Sequence, residues 1–227
     1  MAGAPSTART GHRVTSARKR ARRDEREGFY RARGLRTDER VGWLLTRAAE
    51  RWPDREALLF EGQRLTYRDL WRWVAVVARD LVTDGVRPGD TILWQLPNSL
   101  EGIVLHMAGW RIGAVCVPVV PLYREHEMAY IIGQVRPKVV AFSAQLGERR
   151  VAGEMQALMR RIGVRPRLRY AVGGDVMGWR SLQPRPRPED DVTDLGLPDP
   201  APAEAHCLTL YTSGTTSNPK GAMHASH

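Results

Sequence analysis

Apolar residues at Val41, Leu44, Leu45, Ala48, Ala49 and Trp52 recur at helical spacing, and Pro53 closes the segment. Ala57-Leu58-Leu59-Phe60 then reads as a strand, Glu61-Gly62 as a turn, and Arg64 to Tyr67 as a return strand. A helix is predicted from about Tyr67 to Thr83, with Leu70, Val74, Val77 and Leu81 on its apolar face and Thr66 with Asp69 placed to cap it. Thr91 to Trp94 follows as a strand after the turn Arg87-Pro88-Gly89-Asp90. The alternation then repeats. Helices are predicted from Pro97-Asn98-Ser99 to about Arg111, from Glu125 to Gln134 and from Glu148 to Ile162. Strands are predicted at Ala114–Pro118, Lys138–Phe142 and Leu168–Val172. Buried strands alternating with amphipathic helices predict an α/β fold, a largely parallel sheet with helices on both faces. Residues 182–204 hold six prolines and several acidic residues, and read as an irregular surface connection.

Charge changes this picture at one end only. The formal net charge is +10. Residues 1–36 hold eleven Arg or Lys against three Asp or Glu, while the other 191 residues are nearly balanced, with 24 against 22. Residues 1–36 therefore read as a disordered Arg-rich tail, too poor in apolar residues to fold, and residues 37–227 as the folded part. The tail has no aromatic interleaving before Phe29, which favours a plain extension over a nucleic-acid arm. No apolar run approaches the roughly 18 to 20 residues that span a bilayer. The N-terminus has no apolar segment of the secretory kind. Cys116 and Cys207 sit in apolar strand-like runs and read as buried free thiols, so a reducing cytoplasm is the expected setting.

The densest chemistry lies near the end of the chain, in Tyr211-Thr212-Ser213-Gly214-Thr215-Thr216-Ser217-Asn218-Pro219-Lys220-Gly221. It follows the apolar run Cys207 to Leu210, which reads as a buried strand. Hydroxyls, backbone N–H groups and one cation concentrated in a loop match the needs of a polyphosphate. A Walker-type loop needs glycine before the lysine and a hydroxyl residue after it. Pro219 and Gly221 occupy those places, so that reading fails on its chemistry.

The motif resembles the signature phosphate loop of the adenylate-forming superfamily, with Ser217 where the family has glycine. Leu65 to Leu70, Val86 to Asp90 with Leu96-Pro97-Asn98, and Gly113 to Pro118 with Pro121 to Glu127 resemble further family elements. The wording Leu122-Tyr123-Arg124-Glu125-His126-Glu127 is similar to that of medium-chain and cyclohexanecarboxylate-type CoA ligases. The resemblance implies an ATP-dependent acyl-CoA ligase. It implies a carboxylic acid and coenzyme A as substrates, with Mg²⁺ carried on the phosphates. It further implies that Thr212, Ser213, Gly214, Thr215 and Thr216 bind the nucleotide and that Lys220 both binds it and stabilises phosphate charge in catalysis. His227 is implied beside the acyl pocket, although the family's histidine corresponds to Ser226. Alternatively, His224 and His227 are polar residues on a helix surface.

In the family the adenine, ribose, hinge and C-terminal lysine elements come after this loop. Residues 37–227 therefore read as the first part of an adenylation domain, and the 227 residues alone are expected not to form an acyl-adenylate. Two other readings stand beside the ligase: a truncated non-catalytic domain, and a nucleic-acid-associated protein acting through its basic tail.

Overall fold

The computed structural model describes residues 21, 24–26, 28–34, 38–182, 184–187, 189–190, 192, 196–212 and 218–225. Contacts divide the chain into two units, Met1–Asp38 with His227, and Glu39–Ser226. In the first, residues 28–32 are helical and exposed, and the Arg33 guanidinium lies 3.6 Å over the Phe29 ring. The Arg-rich tail expected to be disordered covers residues 1–36; residues 1–20 lie outside the described residues, and residues 21, 24–26 and 28–32 are helical.

The second unit begins with a 3-10 turn, Val41–Trp43, and helix α1, Leu44–Arg51. A hairpin follows, β1 (Glu56–Phe60) and β2 (Gln63–Thr66). Its two-residue turn has Glu61 at φ 47° and Gly62 at φ 80°. Positive φ at both positions matches the twist of the flanking strands, and Gly62 adopts it without steric cost. Helix α2 (Tyr67–Thr83) starts on the expected cap. The Asp69 N–H donates to Thr66 Oγ1 at 3.1 Å, and the Thr66 N–H donates back to Asp69 Oδ2 at 3.1 Å.

The remaining elements are β3 (Thr91–Gln95), α3 (Leu100–Arg111), β4 (Val115–Pro118), α4 (Glu125–Val135), β5 (Val139–Ser143), α5 (Val151–Arg161), β6 (Leu168–Val172), β7 (Arg180–Ser181), β8 (His206–Thr212) and β9 (Lys220–Ala225). Seven strands form one sheet in the order β7-β6-β5-β3-β4-β8-β9. All neighbours are parallel except β8 and β9. The α/β fold with a largely parallel sheet is thus as the sequence implies. Strands β7 and β9 are additions: β7 is only two residues long, and β9 carries the reversal after the loop.

The central strands are buried on both faces, and their side chains sort by parity. Ile92, Trp94, Val139 and Ala141 pack with Leu70, Val74 and Leu81 of α2 and Val104 and Leu105 of α3. Leu93, Val140 and Phe142 pack with Ile131 and Ile132 of α4 and Met155 and Leu158 of α5. Each fully buried side chain of this size contributes about 1.5–3 kcal/mol of transfer free energy. At the N-terminal edge of the sheet, Lys138 Nζ meets Asp90 Oδ2 at 2.6 Å and ties the starts of β3 and β5.

The proline-rich connection has no regular structure among its described residues. Its carbonyls are met instead by arginines from the helical layer. Arg40 donates to Pro200 O at 3.1 Å, Arg72 to Arg187 O at 2.8 Å, and Arg111 to Pro198 O. Irregular backbone lying on a folded layer needs such donors, because its acceptors find none in a ladder.

Thr66→Ala removes the cap of α2 and should cost about 1 kcal/mol in urea denaturation, whereas Thr66→Ser, which keeps the acceptor, should cost less than half of that. Equal losses in the two variants would contradict the capping role.

Candidate functional site

Strand β8 lies beside β4 and points the same way, so its end arrives at the carboxyl edge of the parallel sheet. That edge is where open α/β sheets leave room for ligands. Thr212 is the last residue of β8 and Lys220 the first of β9, and the two are Cα partners across the antiparallel ladder. The chain therefore leaves and re-enters the sheet at adjacent points. The chain after the motif continues as strand β9, where a Walker loop leads into a helix.

The ends of the eleven-residue motif are structural. Tyr211 pairs with Gly221. A Cβ at Gly221 would stand 3.2 Å from Tyr211 Cζ and 3.1 Å from Thr209 Cγ2, closer than ordinary packing allows. Glycine there lets the tyrosine ring lie against the partner strand. The Tyr211 hydroxyl donates to Gln134 Oε1 of α4 at 2.6 Å and anchors the end of β8 to the helical layer.

Of the expected site residues, Thr212 and Lys220 are placed at the mouth of the hairpin, both exposed. Ser213, Gly214, Thr215, Thr216 and Ser217, together with Ser226 and His227, lie outside the described residues. His224 falls on β9, which corrects the reading of it as a helix-surface residue: the ladder with β8 holds this segment extended. The protein has three lysines, Lys19, Lys138 and Lys220. Lys138 is committed to Asp90, and Lys19 lies outside the described residues. Lys220 has no carboxylate partner among the described residues. No group of three or more His, Cys, Asp or Glu among the described residues could hold a metal ion. The Thr212 hydroxyl and the Lys220 ammonium, adjacent across the ladder, suit an anionic ligand.

Beside the hairpin mouth is a cavity of about 560 Å³, walled by Trp94 and Leu96 of β3 and its exit, Ile103 and His106 of α3, Val119 beyond β4, and Tyr211 of β8. Sequence reasoning passed over His106, and the signal for it was a single imidazole in the apolar run Ile103 to Ala108. Its ring lies edge-on to Trp94, with centroids 5.1 Å apart, and to Trp110 at 4.0 Å. Nε2 is buried with no hydrogen-bond partner among the described residues. Burial depresses the imidazole to a pKa of about 4, so it is neutral at physiological pH. Cys116 and Cys207 are free and buried, as expected. Burial pushes both thiols up, which keeps them protonated and unreactive at neutral pH. A separate cavity of about 330 Å³ lies away from the hairpin, against α1, α2 and α3. No helix among the described residues is long and apolar enough to cross a membrane.

Comparison with known proteins places this geometry. The sequence model of a family described as AMP-binding enzyme matches residues 45–227. The chain is 28% identical to the medium-chain fatty-acid–CoA ligase of Escherichia coli K12 over 202 residues, covering 88% of this chain and 35% of that protein. It is 30% identical to a salicylyl-CoA synthase/salicylate adenylyltransferase of a Streptomyces species over 215 residues, covering 86% of this chain and 38% of that protein. Among solved structures, apo MbtA of Mycobacterium smegmatis superposes with a TM-score of 0.74 at 28% identity, over 89% of this chain and 37% of that one. The chain thus spans about a third of the length of the curated relatives it matches.

The imidazole generates a pH prediction. The folded pKa of His106 lies below its ordinary 6.5, so the unfolded chain takes up the proton first as pH falls. The stability tied to the neutral ring is complete above about pH 6.5 and is lost toward pH 4. Relative to His106→Leu, the native protein should lose on the order of 3 kcal/mol across that window. Urea midpoints of the two proteins at pH 7 and pH 4.5 measure it, and parallel behaviour would contradict the buried neutral ring.

Proposed function

The chain belongs to the AMP-binding enzyme family, and we propose that it carries the triphosphate-holding part of an ATP-dependent acyl-CoA ligase. In this reading a carboxylate oxygen attacks the α-phosphorus of ATP and pyrophosphate leaves, giving an acyl-adenylate. The sulfur of coenzyme A then attacks the acyl carbon, and AMP leaves. Carboxylate and triphosphate repel each other, so the protein must first supply positive charge and donors. Thr212, Ser213, Thr215 and Thr216 offer hydroxyls to the β- and γ-phosphates, and Gly214 lets the backbone approach them. Lys220 neutralises charge that builds on the departing pyrophosphate. Mg²⁺ bound to the phosphates would supply further charge neutralisation. His227 is assigned to the acid-binding side of the loop. Two buried thiols are in keeping with a reducing cytoplasm as the setting.

The observation that carries the reading is the register of the hairpin. It sets Lys220 directly across from Thr212, at the carboxyl edge of the sheet, with no carboxylate partner among the described residues. Residues 1–36 are proposed as an appendage to the domain that follows.

In the enzyme that carries these 227 residues, Lys220→Ala should reduce acid-dependent pyrophosphate exchange by about ten- to a thousandfold. The melting temperature should stay within a degree or two, because the side chain is exposed. Unchanged exchange would remove Lys220 from the reaction, and a collapsed melting temperature would make it structural.

A further inference from the structure

The cavity against α1, α2 and α3 takes no part in the reading above. It measures about 330 Å³ and shares no lining residue with the cavity beside the hairpin. Helix α3 stands between the two, with His106 on one and Met107, Trp110 and Arg111 on the other. Its walls are apolar: Leu45 of α1, Trp71 and Val74 of α2, Met107 and Trp110 of α3, and Leu197 of the proline-rich connection. Among the described residues that line it, Arg111 alone carries a charge.

Arg111 is half-buried at the end of α3. Its Nη1 donates to Pro198 O, and its guanidinium lies 4.6 Å over the Trp43 ring. Its other N–H groups have no partner among the described residues and are not sealed from solvent, unlike His106 Nε2. It makes no ion pair with a carboxylate among the described residues. The carboxylate whose field reaches it is Asp199, which is exposed and stands 4.0 Å from Arg40 Nη1. Burial works against the charge on Arg111, and Asp199 offsets only part of that. A partly desolvated cation at the wall of an apolar cavity favours an anionic occupant. The planar fork of a guanidinium matches the two oxygens of a carboxylate. One cation balances one negative charge, so a dianion would keep a charge unpaired against apolar walls, and an ammonium group is repelled. At the roughly 30 Å³ that a water-sized group occupies, the cavity holds an acid of about eight to ten carbons.

The place of Arg111 in the fold sets this site apart from the reaction. Helix α3 runs back from the carboxyl end of β3 to the amino end of β4, so Arg111 lies at the amino edge of the sheet, opposite the hairpin mouth. Its 12 residues span about 18 Å. An acid whose carboxylate rests on Arg111 is out of reach of phosphates held at Thr212 and Lys220, and is not the acid that reacts.

We propose that this cavity is a second, non-reacting site that binds an apolar monocarboxylate, with the carboxylate on Arg111 and the body between α1, α2 and α3. The inference goes beyond the ligase reading and does not rest on it.

The test is photoaffinity labelling of the enzyme that carries these 227 residues, followed by peptide mass spectrometry. The probes are decanoic acid with a diazirine in its chain and the corresponding primary alcohol. The acid should label residues 41–46, 71–75 or 107–111, and excess decanoate should suppress that labelling. The alcohol should label them roughly tenfold less, because it forgoes the charge-assisted bonds. Arg111→Ala should bring the acid down to the level of the alcohol, and Arg111→Lys, which keeps the charge without the fork, should retain part of the difference. If Arg111→Ala does not fold, the acid-to-alcohol ratios of wild type and Arg111→Lys carry the comparison. Labelling confined to other segments, equal labelling by acid and alcohol, or acid labelling that Arg111→Ala leaves unchanged would overturn the proposal. Lys220→Ala is labelled in parallel and assayed for pyrophosphate exchange. Labelling of the three segments should persist in it, and its loss there would tie the site to the reaction and overturn the proposal. Exchange that Lys220→Ala leaves unchanged sinks the ligase reading alone.

Discussion

The two-sided burial of β3 and β5 is the constraint from which the rest of the molecule follows. Ile92 and Trp94 face one helical layer, and Leu93 faces the other. A strand apolar on both faces cannot sit at a solvent-facing sheet, so it requires helices above and below, and these require parallel crossovers. Parallel crossovers in turn place every strand's carboxyl end at the same edge. The carboxyl ends of β3, β4 and β8 therefore meet there, and both the hairpin mouth and the cavity beside it lie along that edge.

The eleven-residue motif is tied to this scaffold at its ends, where Tyr211 and Gly221 pair across the ladder and the Tyr211 hydroxyl reaches α4. This anchoring explains two residues that chemistry alone does not. An aromatic residue opens the motif because its ring and hydroxyl fix the end of β8. A glycine closes it because a side chain there would meet that ring. The mouth is then held by backbone ladder bonds, so Lys220 is positioned without an ion pair to a carboxylate among the described residues.

Much of this was legible in the sequence. The helix cap at Thr66, the opening of α3 after Pro97-Asn98-Ser99 and strand β6 fall where the pattern puts them, because caps and buried strands are local signals. Strand β9 was not legible. Lys220 to Ala225 is exposed for most of its length and lacks the alternation that marks a half-buried strand; only pairing with β8 makes it one. His106 escaped for a related reason: a lone histidine on an apolar helix is uninformative until Trp94, on the neighbouring strand β3, is seen against its ring. The family was legible because the motif is dense, but the roles of its two end residues came only from register.

In the proposed reading the β8–β9 hairpin presents Lys220 to the phosphates of a bound nucleotide. Three lysines in 227 residues make the claim open to chemical mapping. An ATP analogue bearing an amine-reactive acyl phosphate, followed by peptide mass spectrometry, reports which lysine lies beside the phosphate chain. Labelling is expected at Lys220, suppressed by excess ATP, with Lys138 spared by its pairing to Asp90. Labelling spread over Lys19, Lys138 and Lys220 alike, or labelling that excess ATP does not suppress, would contradict it.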